Sequence, residues 1–137
     1  MLAANEYLES QVTSASPYRL HLMVIDGAIR FARKGLTAVE GENWDQMHLS
    51  LNKSRDFVME IISGLNPVGD PELVERMKSV FLFAYRRLAF ADLERNPQHV
   101  RDALRILELH RETWVELGEK LSAQSTTLQG PHTQNWA

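Results

Sequence analysis

Carboxylates and histidines are the residues of this chain with the widest chemical use, and their spacing shows what they could do together. A dimetal site in a helical bundle needs a Glu-x-x-His motif on each of two helices and a carboxylate from each of the other two. The nearest match is Asp45 followed by His48, and it occurs once. The chain contains no cysteine, which excludes a zinc site with thiolate ligands. The sequence therefore predicts no metal site.

Phosphotransfer and acid–base catalysis are the other uses of a histidine. His21, His48 and His99 lack the basic and small neighbours of an exposed phosphotransfer histidine, and His110 falls on an apolar stripe, where a structural role is expected. The chain has no Gly-rich phosphate loop of the P-loop or dinucleotide type. The serines have no neighbouring histidine and acid that the sequence alone would group into a triad, although a triad assembled from distant segments is not visible in a sequence. We predict no catalytic residue, no cofactor and no enzymatic activity.

Length and charge narrow the class of protein further. A chain of 137 residues can form one domain whose core needs no disulfide or metal. Its formal net charge is −3, whereas a general nucleic-acid binder carries a basic surplus. A signal peptide begins with a positively charged region, but the first fifteen residues hold no Lys or Arg. No apolar run approaches the roughly 18 residues that span a membrane. We predict no nucleic-acid partner, no membrane insertion and a cytoplasmic location.

The stretch from Ser16 to Gly41 predicts the helix around which the others are organised. Ser16 is a suitable N-cap, and Pro17 suits the first helical position. The apolar residues form two stripes on roughly opposite sides of this helix. The first stripe contains Tyr18, Leu22, Ile25, Ile29, Ala32, Leu36 and Val39, and the second contains Leu20, Val24, Gly27, Phe31, Gly35 and Ala38. One stripe is core, and we expect the N-terminal segment or a second subunit to cover the other.

Three further helices are predicted by the same kinds of signal. The second ends near Gly64, the pair Asp70 and Pro71 opens the third, and the pair Asn96 and Pro97 separates the third from the fourth. Short connections force consecutive helices to be antiparallel neighbours. The predicted fold class is therefore all-α, an antiparallel up-down four-helix bundle with a short N-terminal helical segment.

The chain divides into three predicted parts. Residues 1–15 form a mobile N-terminal segment, residues 16–121 form the bundle, and residues 122–137, which carry no charged side chain, form a disordered tail. Residues 4–12 have the pattern of a short helix that would be marginal alone in water. It needs a surface to dock on, either as a fixed cap of the bundle or as a displaceable lid.

The predicted helices carry more apolar surface than one core requires. The third helix also has a second stripe, which contains Leu73, Val80, Phe83 and Phe90. Gly27 inside the first helix costs roughly 1 kcal/mol relative to alanine, so a client backbone or a neighbouring helix should approach it closely. Surplus apolar surface is typical of proteins that grip another chain. Two interpretations follow, a chaperone for a client segment or an adaptor bundle that forms a homodimer through the same surface.

Several short blocks resemble the bacterial flagellar secretion chaperones of the FliS family. The blocks are Asn5-Glu6-Tyr7-Leu8, Ala15-Ser16-Pro17, Asp26-Gly27-Ala28-Ile29-Arg30-Phe31, Arg86-Arg87-Leu88 and Arg111-Glu112-Thr113-Trp114. They extend from Asn5 to Trp114, which is most of the predicted domain. The third block is fairly specific, because this run at this distance after Ser-Pro rarely arises by chance.

The resemblance implies a chaperone that binds the disordered C-terminal segment of flagellin, prevents premature polymerisation and delivers the subunit to the flagellar export gate. It also implies that the N-terminal segment covers part of the client groove until the client displaces it. The client-binding residues implied by position are Tyr7, Leu8, Val12, Leu20, Met23, Val24, Gly27 and Phe31. The chain departs from the family pattern at Ile25, Phe81 and Phe83, where Tyr is common, and at Asp92, where Asn is usual.

Overall fold

Four helices form an up-down bundle in a computed structural model, which describes residues 16–65 and 70–136, with side chains to residue 124. The helices are α1 (Pro17–Glu40), α2 (Trp44–Gly64), α3 (Pro71–Glu94) and α4 (Pro97–Trp136). Each helix packs against its neighbour in sequence, and α4 packs against α1, which closes the ring. The helices α1 and α3 therefore occupy opposite corners. The predicted all-α four-helix bundle is confirmed.

The helix ends lie where the capping residues place them. The Ser16 hydroxyl accepts a hydrogen bond from the Arg19 N–H at 3.2 Å, and Pro17 occupies the first turn of α1. The side chain of Asn43 caps α2, and that of Asp70 caps α3 directly before Pro71. These local hydrogen bonds satisfy amide groups that a helix leaves unpaired at its start, so the sequence alone fixes these boundaries.

The core lies between the four helices and is almost entirely apolar. Its fully enclosed side chains include Ile25 from α1, Leu51 and Val58 from α2, Phe81 from α3 and Leu107 from α4. Two polar side chains are buried among them, and both hydroxyls are satisfied. Ser50 Oγ accepts a hydrogen bond from Gln46 Nε2 at 2.8 Å, and Ser54 Oγ donates to the Ala28 carbonyl oxygen at 2.7 Å. The second of these bonds ties α2 to α1 inside the core.

The second stripe of α1 is covered by α2. Gly27 lies against the Phe57 ring, and Phe31 stacks on that ring with centroids 5.9 Å apart. Further along, Gly35 lies against the Leu51 side chain. Our expectation that the N-terminal segment or a second subunit covers this stripe is wrong at Gly27 and Gly35, where the two glycines let the neighbouring helix approach instead. Of the two explanations for Gly27, the close neighbouring helix is the one observed.

A Gly35→Ala variant should be less stable than the natural protein. The added methyl group would overlap Leu51, which is fully buried and has no room to withdraw. Overpacking of a core costs about 1–3 kcal/mol, which offsets and exceeds the roughly 1 kcal/mol that alanine gains in a helix. Urea unfolding followed by circular dichroism measures the difference. Gly64→Ala is the matched control, since among the described residues no atom beyond its own helical turn lies within 4 Å of the new methyl group, and it should be neutral or slightly stabilising.

The last helix is longer than the sequence pattern predicts. It extends to Trp136, across the segment predicted as a tail from residue 122 onward. No proline lies between Pro97 and Pro131 to interrupt its backbone hydrogen bonds. The division into three parts stays a prediction, and the N-terminal part lies outside the described residues. In the ranges that the structure describes, no helix is both long and apolar enough to cross a membrane.

Candidate binding surface on the third helix

Helix α3 carries more than half of the large apolar side chains that are exposed in the described part of the chain. They are Leu73, Val80, Leu82, Phe83, Phe90 and Leu93. Both phenylalanines are 44% exposed, and Leu93 is 80% exposed. Concentrated apolar exposure on one element of a monomer usually marks a binding surface. We call this set the α3 surface.

The flank of the α3 surface that faces α4 is apolar with a fixed polar edge. Phe83 lies under the Arg87 guanidinium, whose carbon is 4.7 Å from the ring centroid. Arg87 donates to His99 Nδ1 at 3.2 Å, so this histidine carries its proton on Nε2 and donates to Glu94 at 2.7 Å. Phe90 also contacts the His99 ring, with centroids 6.2 Å apart. This chain of contacts holds both phenylalanine rings in place at the seam.

The flank that faces α2 is a groove with charged groups that pair with one another. Its lining includes Leu93 and Tyr85 from α3 and Trp44 from α2. The Asp92 carboxylate accepts a hydrogen bond from His48 Nδ1 at 2.8 Å and lies 3.5 Å from an Arg55 nitrogen. Asp92 is one of the positions where the chain departs from the family pattern, and here its charge is compensated internally.

A second cluster joins α1 to α4 around two histidines. His21 Nε2 and His110 Nε2 are 2.9 Å apart, so one ring donates a hydrogen bond and the other accepts it. Trp114 packs against His21 and donates from Nε1 to the Tyr18 carbonyl oxygen at 3.2 Å. Phe81 meets the edge of His110 with centroids 4.7 Å apart. The imidazoles are neutral parts of a packed seam, as predicted for His110.

This histidine pair should make the bundle less stable in mild acid. Burial lowers the pKa of His21, and burial together with nearby His21 lowers the pKa of His110 from 6.5 to about 4. Between pH 6.5 and pH 4 the unfolded chain binds protons at these histidines that the folded chain does not. The stability that the neutral pair contributes is therefore fully present above pH 6.5 and falls toward pH 4. Because both rings are partly exposed, we expect a loss of only about 1–2 kcal/mol.

Urea unfolding at pH 6.5 and pH 5 tests this prediction, since most carboxylates stay ionised in that interval. A double variant, His21→Gln with His110→Gln, should lose this part of the pH dependence. An identical slope in the double variant and the natural protein would contradict the assignment.

The structure separates the predicted client-binding residues from the α3 surface. Leu20, Met23, Val24 and Phe31 are half-buried on α1, and Gly27 is buried under Phe57. Tyr7, Leu8 and Val12 lie outside the described residues. Because α1 and α3 occupy opposite corners, the four α1 side chains do not join the exposed set. The second apolar stripe of α3 was the sequence signal for that set, but it did not enter the predicted site.

The arrangement is that of a helical bundle with an exposed apolar surface. Within residues 16–65 and 70–136, no three potential ligands from His, Asp and Glu come together as a metal site. More than half of the large apolar side chains that are exposed in the described residues lie on one helix, α3. An exposed apolar face on a helical bundle is the kind of surface on which polypeptide segments bind.

The comparisons with known proteins give the family. The family model described as flagellar protein FliS matches residues 1–121, so this chain belongs to the FliS family. Three relatives are each named flagellar secretion chaperone FliS. That of Campylobacter jejuni is 23% identical over 116 residues, 85% of this chain and 91% of the relative. That of Bacillus subtilis is 25% identical over 110 residues, which cover 80% of this chain and 81% of the relative. That of Salmonella typhimurium is 27% identical over 127 residues, which cover 87% of this chain and 89% of the relative.

Proposed function

We propose that this protein is a cytoplasmic export chaperone that binds the disordered C-terminal segment of flagellin. Binding prevents premature polymerisation and delivers the subunit to the flagellar export gate. The observation that carries the proposal is the α3 surface in a chain of the FliS family. A disordered client gains affinity by placing apolar side chains on such a surface while it folds.

The dimensions of α3 suit a helical client segment. Its 24 residues are about 36 Å long at 1.5 Å per residue, and exposed apolar residues run from Leu73 to Leu93. The two flanks of the α3 surface are separated by Ser79 and Arg86, which fall between them at about 100° per residue. A client helix on either flank would cover Phe83 and Phe90 on one side, or Leu82 and Leu93 on the other. A connecting turn of the client would cross the ridge that Ser79 and Arg86 form between the two flanks.

The α1 residues fit this proposal in a supporting role. Phe31 and Val24 are half-buried, so a client can reach only part of each side chain. Gly27 becomes accessible only when the Phe57 ring moves away from it. We propose that these residues shape the α1–α2 seam and that the α3 surface supplies most of the client contact.

Calorimetric titration with the C-terminal segment of flagellin from the same organism tests the function. A chaperone should form a 1:1 complex with a negative heat-capacity change, and circular dichroism should show a gain of helix. The self-associating adaptor predicts no heat from flagellin and a concentration-dependent dimer in sedimentation experiments. That result would overturn the proposal.

The same titration separates a lid from a fixed cap at residues 1–12. A chain without these residues should bind the flagellin segment more tightly when the segment is a displaceable lid, because the site no longer has to be vacated. Unchanged affinity would assign the segment to a fixed cap. Hydrogen exchange of α1 in both chains gives an independent readout.

A further inference from the structure

The edge between α1 and α2 carries an aromatic ring surrounded by three cations. The Phe31 ring centroid lies 5.1 Å from Arg30 Cζ, 5.1 Å from Lys34 Nζ and 5.2 Å from Lys53 Nζ. The ring stacks on Phe57 with an interplanar angle of 12°. Each cation gains about 0.5–1 kcal/mol from the ring at an exposed site, but the three positive charges also repel one another. We call these five residues the basic aromatic patch.

None of the three cations forms an ion pair within the part of the chain that the structure describes. In the described residues, neither Arg30, Lys34 nor Lys53 lies within 4.0 Å of a carboxylate oxygen. A neighbouring cation on the same helix behaves differently, since Arg33 pairs with Glu108 at 2.8 Å. The chain as a whole has more acidic than basic residues. What distinguishes this edge is that three cations without an ion pair surround one aromatic ring, with Asp56 and Glu60 beside Lys53 on the same surface.

We propose that the basic aromatic patch is a docking site for an acidic segment of a second protein that contains an apolar or aromatic residue. Carboxylates of the segment would pair with Arg30, Lys34 and Lys53, and the apolar residue would cover the half-buried Phe31 and Phe57 rings. The cations surround one point at about 5 Å, so two or three carboxylates within a single helical or extended turn can reach them. The net charge of −3 disfavours a nucleic acid as the occupant.

The patch is separate from the α3 surface, so the inference goes beyond the proposed function. In the closed ring of helices, the α1–α2 edge lies opposite the α3–α4 edge, where Phe83 and Phe90 are exposed. A client on the α4-facing flank of α3 therefore leaves the patch open. The protein can hold a client and an acidic partner segment together.

A labelled synthetic peptide of twelve residues, with four glutamates and two phenylalanines, serves as the probe. Fluorescence anisotropy with the full chain should show binding that weakens as salt rises, because exposed charges are screened. A matched peptide with glutamine in place of every glutamate should bind on the order of tenfold more weakly. Equal binding of the two peptides would overturn the proposal, and so would displacement of the acidic peptide by an equal concentration of a uridine dodecamer.

Two triple variants locate the site. The variant Arg30→Gln, Lys34→Gln, Lys53→Gln should weaken binding of the acidic peptide on the order of tenfold. The matched control is Arg76→Gln, Lys78→Gln, Arg101→Gln, which removes three cations that already pair with acids elsewhere, and it should change binding less than about twofold.

Equal losses in both variants would show a charge effect without a site. The variant Phe31→Leu, which keeps an apolar side chain at the α1–α2 seam, should also bind the acidic peptide more weakly than the natural protein does.

Calorimetry with the flagellin segment distinguishes failure of this proposal from failure of the proposed function. The patch variant should bind flagellin as the natural protein does, and a loss there would place the patch inside the client surface and overturn a separate site.

Discussion

A Leu107→Ala variant should lose about 2–5 kcal/mol of its free energy of unfolding. Leu107 is fully buried in the core-facing side of α4, so removing its side chain leaves a cavity that the four packed helices cannot fill. Urea unfolding followed by circular dichroism measures the loss. Leu109→Ala is the matched control, because the same substitution two residues further along falls on a side chain that is 63% exposed. It should change stability by less than about 0.5 kcal/mol.

Trp114→Ala tests the packing of α4 against α1 further along the same helix. Its ring stacks on Tyr18 with centroids 5.6 Å apart, but it is only half-buried, so we expect a loss near the lower end of that range. Equal stability of the natural protein and Leu107→Ala would show that the packing of α4 is misplaced. Neither variant should affect client binding except through unfolding.

The double variant Phe83→Ser with Phe90→Ser should weaken binding of the flagellin segment about 100-fold or more. Each ring is an exposed aromatic anchor, and loss of such an anchor typically costs about 1–3 kcal/mol of binding free energy. Two losses on one flank of α3 therefore remove a large share of the affinity. Calorimetric titration measures the change in Kd.

The control for this prediction is Leu49→Ser with Leu109→Ser, which removes two exposed apolar side chains from other helices. It should change Kd less than about threefold, since these residues lie outside the α3 surface. Both double variants must first show melting curves close to that of the natural protein. Equal loss of affinity in both would mean that general surface hydrophobicity, and not the α3 surface, binds the client.

The four helices were predictable from the sequence, and so were their ends except the C-terminal end of α4, because the signals are local. Ser16 with Pro17, Asn43, and Asp70 with Pro71 act within one turn of themselves, through side chains that satisfy nearby amide groups. Short connections then leave an antiparallel bundle as the simple arrangement. The family blocks between Asn5 and Trp114 likewise depend only on the order of residues.

The sequence could not decide which apolar stripe would be covered. Periodicity assigns residues to faces of a helix, but the neighbour of each face is chosen by packing between residues far apart in the chain. Gly27 and Gly35 let α2 approach α1 closely, so Phe57 covers Gly27, which was predicted to bind a client, and Leu51 covers Gly35. The corresponding stripe of α3 stays exposed at Phe83.

The same reason explains the two polar features that only the tertiary structure revealed. His21 and His110 are 89 positions apart and meet because α1 and α4 close the ring. Lys53 reaches Phe31 because α2 lies along α1. The sequence by itself determined the helices, their ends other than the C-terminal end of α4, and the family. The folding of the bundle decided which side chains are buried, which are paired and which face a partner.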